Sequence, residues 1–135
     1  GKWEKQVKAY VKQYPDVIKY WGKIYDKEEL MRFYRKNKVF AMPSKTETFG
    51  LVYIEALSQG LPVLYTKNEG IDHLFDYRVG ERVAPSSIIE IKNALYRLLH
   101  NTSQYDLLPF EELDRFDWNQ ITLEYKSLYQ EISCK

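Results

Sequence analysis

The stretch of residues 39–66 constrains the fold of this chain more than any other part of the sequence. A short apolar run, Val39–Met42, ends at Pro43, and a largely apolar helical stretch then runs to Gly60, directly before a second apolar run, Leu61–Thr66. Apolar runs of strand length on either side of a helix that ends in glycine are typical of a strand–helix–strand unit with buried strands. The sequence therefore predicts an α/β fold built on a parallel sheet.

Two glutamates, Glu47 and Glu55, are separated by seven residues where the first strand turns into the helix. We expect the helix to begin near Phe49 and Gly50, so its free N–H groups and the positive end of its dipole lie between the two carboxylates and suit a pyrophosphate. A carboxylate can accept hydrogen bonds from two neighbouring hydroxyls, so Glu55 could hold a ribose diol and Glu47 the diol of a sugar. The pattern indicates a sugar-nucleotide site.

Both glutamates also have an ordinary structural interpretation. Ser44-x-x-Glu47 reads as a capping box, in which both side chains satisfy helix amides, and Glu55 could be a plain helix carboxylate. However, the positions four residues before and after Glu55 are Leu51 and Gln59, so no cation on this helix pairs with it. An unpaired carboxylate on an apolar helix costs stability if it is buried, which favours contact with a ligand or a cleft.

The rest of the chain alternates helices and strands without repeats. Apolar periodicity, caps and breakers predict helices over Trp3–Tyr14, Glu28–Lys36, Gly70–Asp76, Ser87–Leu99 and Trp118–Ile132, the last opened by Asp117 with Gln120 as a capping pair. Further strands are predicted over Val17–Trp21 and, more weakly, Glu81–Ala84. We expect a Rossmann-like parallel sheet with helices on both faces and a ligand at the carboxyl ends of the strands, where both glutamates fall.

Composition and charge limit the class of protein. A length of 135 residues suits one domain, and 44% hydrophobic with 29% charged residues indicate a soluble globular chain. The net charge of +1, with lysines scattered among acidic residues, gives no basis for nucleic-acid binding. The single Cys134 excludes an internal disulfide and favours a reducing compartment.

Other features exclude further classes of function. His73 and His100 are isolated in sequence and Asp-x-Asp is missing, so we expect no metal and no cofactor. His73 is expected to be a surface or helix-end residue. The charged, amphipathic start and the lack of a long apolar run predict neither a signal peptide nor a membrane span, and hence a cytoplasmic protein.

The stretch around the two glutamates resembles the E-x7-E signature of the retaining glycosyltransferases of family 4, whose two-domain architecture is called GT-B. The similarity extends to Pro43–Ser44, Phe49–Gly50 and Glu55–Ala56, and to Gly60–Val63, which opens the next strand. It covers nearly the whole chain, because Val17–Ile24 resembles the family's strand that faces the nucleotide base and Phe116–Trp118 resembles the start of its closing helix.

The resemblance implies a role for each matching residue. The catalytic Glu47 would contact donor-sugar hydroxyls and stabilise charge, and Glu55 would bind the ribose. Amides of Thr48, Phe49, Gly50 and Leu51 would approach sugar and phosphate, and the base would lie against Lys23, Ile24 and Tyr25. Where many members have Gly-Gly-Ile-Pro-Glu, this chain has Glu69-Gly70-Ile71-Asp72-His73, so the resemblance assigns this loop no role.

The resemblance also implies parts that this sequence lacks. In the family, the nucleotide-binding domain begins with two further strands and carries an Arg and a Lys that neutralise the diphosphate, and an acceptor-binding domain precedes it. We therefore expect residues 1–135 to be a partial C-terminal donor-binding domain, with a closing helix at about 117–132 and Gly1 at the end of the second missing strand. The implied partners are an NDP-sugar donor and the acceptor domain, which could contact a membrane peripherally.

Loss of the two strands would affect the sheet. In a doubly wound order, they lie between Val17–Trp21 and Val39–Met42, and two strand spacings leave a gap of about 10 Å. Unpaired ladder groups on both sides are costly. We expect either direct pairing of the flanking strands or completion of the sheet by other residues, including those of a second copy.

The implied reaction of the parent enzyme is transfer of a glycosyl group, with retention of configuration, from an NDP-sugar to an acceptor in polysaccharide or glycoconjugate biosynthesis. Two alternatives stay open. Sugar-nucleotide epimerases and phosphorylases use related architectures. A non-catalytic α/β interaction module would use the glutamates only as caps and solvent-facing groups.

Overall fold

The computed structural model describes residues 3–106 and 108–133. Within these ranges the elements are, in order, α1 (Glu4–Gln13), α2 (Lys27–Arg35), β1 (Phe40–Ala41), α3 (Leu51–Ser58), β2 (Val63–Thr66), β3 (Gly80–Val83), α4 (Ile88–His100), a 3₁₀ turn (Thr102–Gln104), α5 (Phe110–Asp114) and α6 (Trp118–Ser133). The chain divides into two compact units, Gly1–Leu30 and Met31–Lys135. None of the described helices combines the length and apolarity needed to cross a bilayer.

The second unit is built on a three-stranded sheet of order β1-β2-β3, in which both pairs of neighbours are parallel. Phe40 is paired with Val63, and Val63 with Gly80. Because both strand pairs run in the same direction, the loops that follow β1 and β2 leave the sheet at the same edge. The predicted parallel α/β sheet is confirmed.

Helices cover both faces of the central strand β2. Leu64 packs in a buried cluster with Ala94 and Leu98 of α4. Tyr65, the next residue, faces the opposite side of the sheet, and its ring lies edge-on to Tyr53 of α3 at a centroid distance of 6.4 Å. A strand buried on both faces has to be apolar throughout, which explains the continuous apolar run from Leu61 onward.

A buried charge joins β3 to α4. Glu81 is only 7% exposed, and its carboxylate accepts hydrogen bonds from Arg97 Nε at 3.0 Å and from the Tyr105 hydroxyl at 2.9 Å, with Arg78 as a further ion-pair partner. Burial acts to raise the pKa of the Glu81 carboxyl, but the hydrogen bonds from Arg97, Tyr105 and Arg78 outweigh it, so the pKa lies below its usual range. The ionised form therefore stabilises the contact between strand and helix.

Most predicted elements are confirmed. Four predicted helices have ends that differ by no more than one residue from α1, α2, α4 and α6: Trp3–Tyr14, Glu28–Lys36, Ser87–Leu99 and Trp118–Ile132. Ser87 caps α4 by accepting the Glu90 N–H at 3.3 Å. Asp117 caps α6 by accepting the Asn119 N–H at 3.0 Å. The predictions for Gly1 and Cys134 lie outside the described residues.

The strand predicted at Val17–Trp21 is wrong, because this stretch forms a turn followed by irregular backbone. The N–H groups of Val17 and Ile18 both donate to the carbonyl of Tyr14, at 3.1 and 2.9 Å, which closes the turn after α1. An apolar stretch becomes a strand only where a neighbour satisfies its ladder groups. Here the local turn takes those donors, and Val17 stays 82% exposed.

The helix predicted at Gly70–Asp76 is also wrong, since this stretch consists of turns. Gly70 has φ of +57° and His73 has φ of +64°. Left-handed residues cannot continue a right-handed helix. Asp72 accepts the N–H of Asn68 at 2.6 Å, the kind of side-chain-to-backbone bond that favours turns over helix.

We predict that Glu81→Gln lowers the free energy of unfolding at neutral pH by about 1–3 kcal/mol, because charge-assisted hydrogen bonds are lost. Since folding lowers the pKa of Glu81, its stabilisation is present above the unfolded pKa of 4.5 and is lost as pH falls through the folded pKa. Urea unfolding of both proteins from neutral pH downward measures the difference, which should shrink below pH 4.5. Glu124→Gln, an exposed α6 position, is the control, and a pH-independent difference at Glu81 would contradict the interpretation.

Candidate functional site: the Glu47 loop at the carboxyl edge of the sheet

The β1–α3 loop, residues 42–50, is tied to the segment around the end of β2 by three hydrogen bonds. The Thr66 hydroxyl donates to the carbonyl of Ser44 at 2.6 Å. The N–H of Gly70 donates to the carbonyl of Glu47 at 3.2 Å, and the N–H of Glu47 donates to Glu69 Oε2 at 3.0 Å. These bonds fix the backbone of the loop at Ser44 and Glu47 against residues 66–70.

A left-handed glycine sets the direction in which α3 leaves this loop. Gly50 is the N-cap with φ of +76° and ψ of +54°. A Cβ there would lie 2.5 Å from Cδ2 of Tyr53, whose hydroxyl donates to the carbonyl of Met42. Only glycine meets both demands, because it has no Cβ and tolerates positive φ. The helix begins at Leu51, next to the position predicted.

The capping-box interpretation of Ser44 and Glu47 is wrong, because Gly50 is the N-cap of α3 and none of the described side chains caps this helix. Within the part of the chain that the structure describes, the first amides of α3 therefore have no side-chain acceptor, as a site for an anion requires. The Glu47 carboxylate accepts the N–H of Thr48 at 3.1 Å, outside the helix. One oxygen of the Glu47 carboxylate is thus occupied by the Thr48 N–H.

The stem of Glu47 is held between two glycines. A Cβ at Gly50 would lie 3.2 Å from Glu47 Cγ, and a Cβ at Gly70 would lie 3.0 Å from the same atom. Larger residues at either position would push this side chain aside. The present position of the Glu47 stem therefore depends on glycine at both positions. The Glu47 side chain as a whole is half-buried.

Glu55 lies one turn into α3, between buried neighbours on its helix. Its Oε2 is 3.5 Å from the hydroxyl of Tyr34, a side chain that is 6% exposed. Burial and then the nearby Glu55 charge raise the pKa of Tyr34 to about 12, so the hydroxyl stays protonated and can donate. Among the described residues, Glu55 forms no salt bridge, which agrees with the lack of a cation on its helix.

The remaining predicted loop residues are open to solvent. Thr48 is exposed, and Leu51 is 54% exposed. The ring of Phe49 lies 6.0 Å from that of Phe116. Phe49 and Leu51 line one side of an apolar cavity of about 430 Å³, whose other walls are Leu74, Arg115, Phe116, Trp118 and Ile121. The sequence did not predict this cavity.

The predicted base-binding residues Lys23, Ile24 and Tyr25 belong to the first unit, in the irregular stretch between α1 and α2. Lys23 Nζ lies 4.9 Å from the centroid of the Tyr25 ring, a cation–π contact, and Tyr25 is mostly exposed. His73 is an exposed residue beside Asp72, with Nε2 3.4 Å from Oδ2. In the parts of the chain that the structure describes, no three His, Cys, Asp or Glu side chains converge as metal ligands would.

Sequence reasoning missed Tyr34 and the pair Glu69 and Gly70. Nothing in the sequence links Tyr34 to Glu55, because the two are 21 residues apart and meet only through the fold. For Glu69 and Gly70 there is a signal: a glycine-containing turn directly after a buried strand lies at the ligand edge of a parallel sheet.

The fold and the loop geometry define an α/β protein with a glutamate-bearing loop, residues 42–50, at the carboxyl edge of a parallel sheet, and comparison with known proteins gives its family. Residues 1–113 match the family described as glycosyl transferases group 1, and the chain belongs to this family. It is 31% identical over 107 residues to the sulfoquinovosyl transferase SQD2 of Arabidopsis thaliana, which covers 74% of this chain and 21% of that protein.

Other relatives also match most of this chain with a small part of their own length. It is 31% identical over 108 residues to a D-inositol 3-phosphate glycosyltransferase of Saccharomonospora viridis, covering 77% of this chain and 25% of that protein. The solved structure of a sucrose-phosphate synthase from Thermosynechococcus elongatus, a GT-B protein, is similar with a TM-score of 0.78 and 28% identity, over 99% of this chain and 35% of that one. The chain thus spans a third or less of the curated relatives' length.

We predict that Gly50→Ala destabilises the chain by about 2–4 kcal/mol, since it adds a clash with Tyr53 to the strain of a positive φ. The matched control is Gly22→Ala, where φ is +71° but nothing lies within 4 Å of the added Cβ. That variant should lose only about 1–2 kcal/mol. Chemical unfolding of both variants measures the difference, and equal losses would show that the Tyr53 contact has no effect.

Proposed function

We propose that this chain is the donor-binding part of a retaining glycosyltransferase of family 4, which transfers a glycosyl group from an NDP-sugar to an acceptor. Membership of the glycosyl transferases group 1 family supports the reaction class. The observation that carries the assignment of the site is the fixed Glu47 beside the uncapped start of α3. A carboxylate next to free helix amides matches the hydroxyl-rich sugar and the anionic diphosphate of such a donor.

In this proposal, each part of the donor has its own contact. Glu47 accepts hydrogen bonds from the donor sugar, and amides of Thr48 to Leu51 approach the sugar and phosphates. Glu55 binds the ribose hydroxyls, with Tyr34 steadying one of its oxygens. The base lies against the stretch of Lys23 to Tyr25. An acceptor domain outside this sequence completes the enzyme and is the part through which it would contact a membrane.

The chemistry follows from where negative charge develops. As the glycosyl bond breaks, the leaving diphosphate gains charge, and preorganised amides at the start of α3 stabilise it without having to reorient. Glu47 stabilises the positive charge that develops on the sugar ring and fixes the sugar through its hydroxyls. We expect retention, so that the transferred sugar has the same anomeric configuration in the product as in the donor.

We predict that Glu47→Ala in the full-length enzyme lowers kcat by about 10², which corresponds to about 3 kcal/mol of lost transition-state stabilisation. The fold should persist, because the bonds that fix the loop use the backbone of Glu47 and not its carboxylate. Steady-state transfer assays with analysis of the product anomer measure the effect, with Glu124→Ala as the control. Wild-type turnover in Glu47→Ala would sink the assignment, and a free epimerised sugar nucleotide as product would favour an epimerase.

We predict that Glu55→Gln weakens binding of a nucleoside diphosphate by about 1–3 kcal/mol, because a charge-assisted acceptor for the ribose hydroxyls is lost. The matching 2′,3′-dideoxy nucleotide lacks these hydroxyls, so its affinity should hardly change. Isothermal titration calorimetry of the wild type and of Glu55→Gln, each with the two nucleotides, gives the four affinities that are needed. Equal losses for the two nucleotides would assign Glu55 a structural role.

A further inference from the structure

We propose that Glu69 is a positioning residue for Glu47: its carboxylate holds the main chain of Glu47 so that the Glu47 carboxylate meets the donor sugar in one orientation. This inference rests on the proposed function. It concerns a residue for which the resemblance gives no role, since many family members have glycine at this point of the loop.

Two hydrogen bonds hold the backbone of Glu47. Glu69 Oε2 accepts the N–H of Glu47 at 3.0 Å, and the next residue, Gly70, donates its own N–H to the carbonyl of Glu47 at 3.2 Å. Both backbone groups of Glu47 are therefore held by two consecutive residues. These two bonds restrain the backbone of Glu47 on both sides of its Cα, and therefore fix the direction of its Cα–Cβ bond.

The Glu69 carboxylate is half-buried and forms no salt bridge among the described residues. The hydrogen bond from the Glu47 N–H therefore offsets part of the cost of burying its charge. Hydrogen bonds from an amide to an ionised carboxylate are shorter and roughly twice as strong as neutral ones. A glycine at this position would leave the Glu47 N–H without this acceptor.

A shift of the Glu47 backbone would also move its carboxylate. Cγ of Glu47 lies 3.0 Å from the point that a Cβ of Gly70 would occupy, so the stem has little room when the loop shifts. Small misplacements of a catalytic group cost much, about 10² in rate for about 1 Å. Loss of the Glu69 bond should thus affect the chemical step more than the binding of the nucleotide.

The test compares Glu69→Ala and Glu69→Gln in the full-length enzyme. Glu69→Ala should lower kcat about tenfold or more and change the affinity for the nucleoside diphosphate much less, because Glu55, which binds the ribose, is not moved. Glu69→Gln keeps an oxygen that can accept the Glu47 N–H, and it should recover most of kcat. A purely structural role would lower thermal stability without this split between kcat and nucleotide affinity.

Asp106→Ala is the matched control. Asp106 Oδ2 accepts the N–H of Arg78 at 3.0 Å, the same kind of bond with the same length. Arg78 lies two residues before β3, so this bond lies at the amino edge of the sheet, opposite the β1–α3 loop. Asp106→Ala should cost comparable stability and leave kcat unchanged.

Hydrogen exchange at the Glu47 amide gives a readout that is independent of turnover. Exchange should accelerate in Glu69→Ala, stay near wild type in Glu69→Gln and be unaffected in Asp106→Ala. Full kcat in Glu69→Ala, or unchanged exchange, would overturn the role of Glu69 alone. A wild-type enzyme that turns over no nucleotide sugar would overturn the proposed function and this role together.

Discussion

The hydrogen bonds that join the β1–α3 loop to the segment around the end of β2 are the constraint on which the candidate site depends. Parallel pairing of β1 and β2 brings both segments to one edge of the sheet, and the bonds from Thr66, Glu69 and Gly70 then fix the loop in place. Gly50 converts this fixed loop into the start of α3. The position of Glu47 is therefore a consequence of sheet topology and of two close glycine contacts.

The opposite face of the sheet supplies rigidity without taking part in the site. Leu64, Ala94 and Leu98 form its apolar contact with α4, and Glu81 adds a buried ionic contact to Arg97. Buried ion pairs are weak evidence for net stability, but removal of one partner is costly because it leaves the other charge uncompensated. The central strand β2, which is buried on both faces, thus supports β1, the strand that leads into the Glu47 loop.

The sequence predicted those parts of the fold that depend on local pattern. The helix start beside Gly50, the cap at Asp117 and the apolar β2 follow from residue type and spacing. It failed at Val17–Trp21, where a strand needs a partner that spacing cannot reveal, and at Gly70–Asp76, where two left-handed residues interrupt a helical pattern. The contacts of Glu47 with Glu69 and of Glu55 with Tyr34 join residues more than 20 positions apart, so only the fold discloses them.

The proposed site is tested most directly by a crystal structure of the full-length enzyme with a nucleoside diphosphate sugar. We expect sugar hydroxyls within hydrogen-bond distance of the Glu47 carboxylate, diphosphate oxygens against the amides at the start of α3, and ribose hydroxyls at Glu55. We also expect Glu69 to accept the Glu47 N–H in the complex. A donor bound elsewhere, with the two glutamates facing only solvent, would contradict the proposed site.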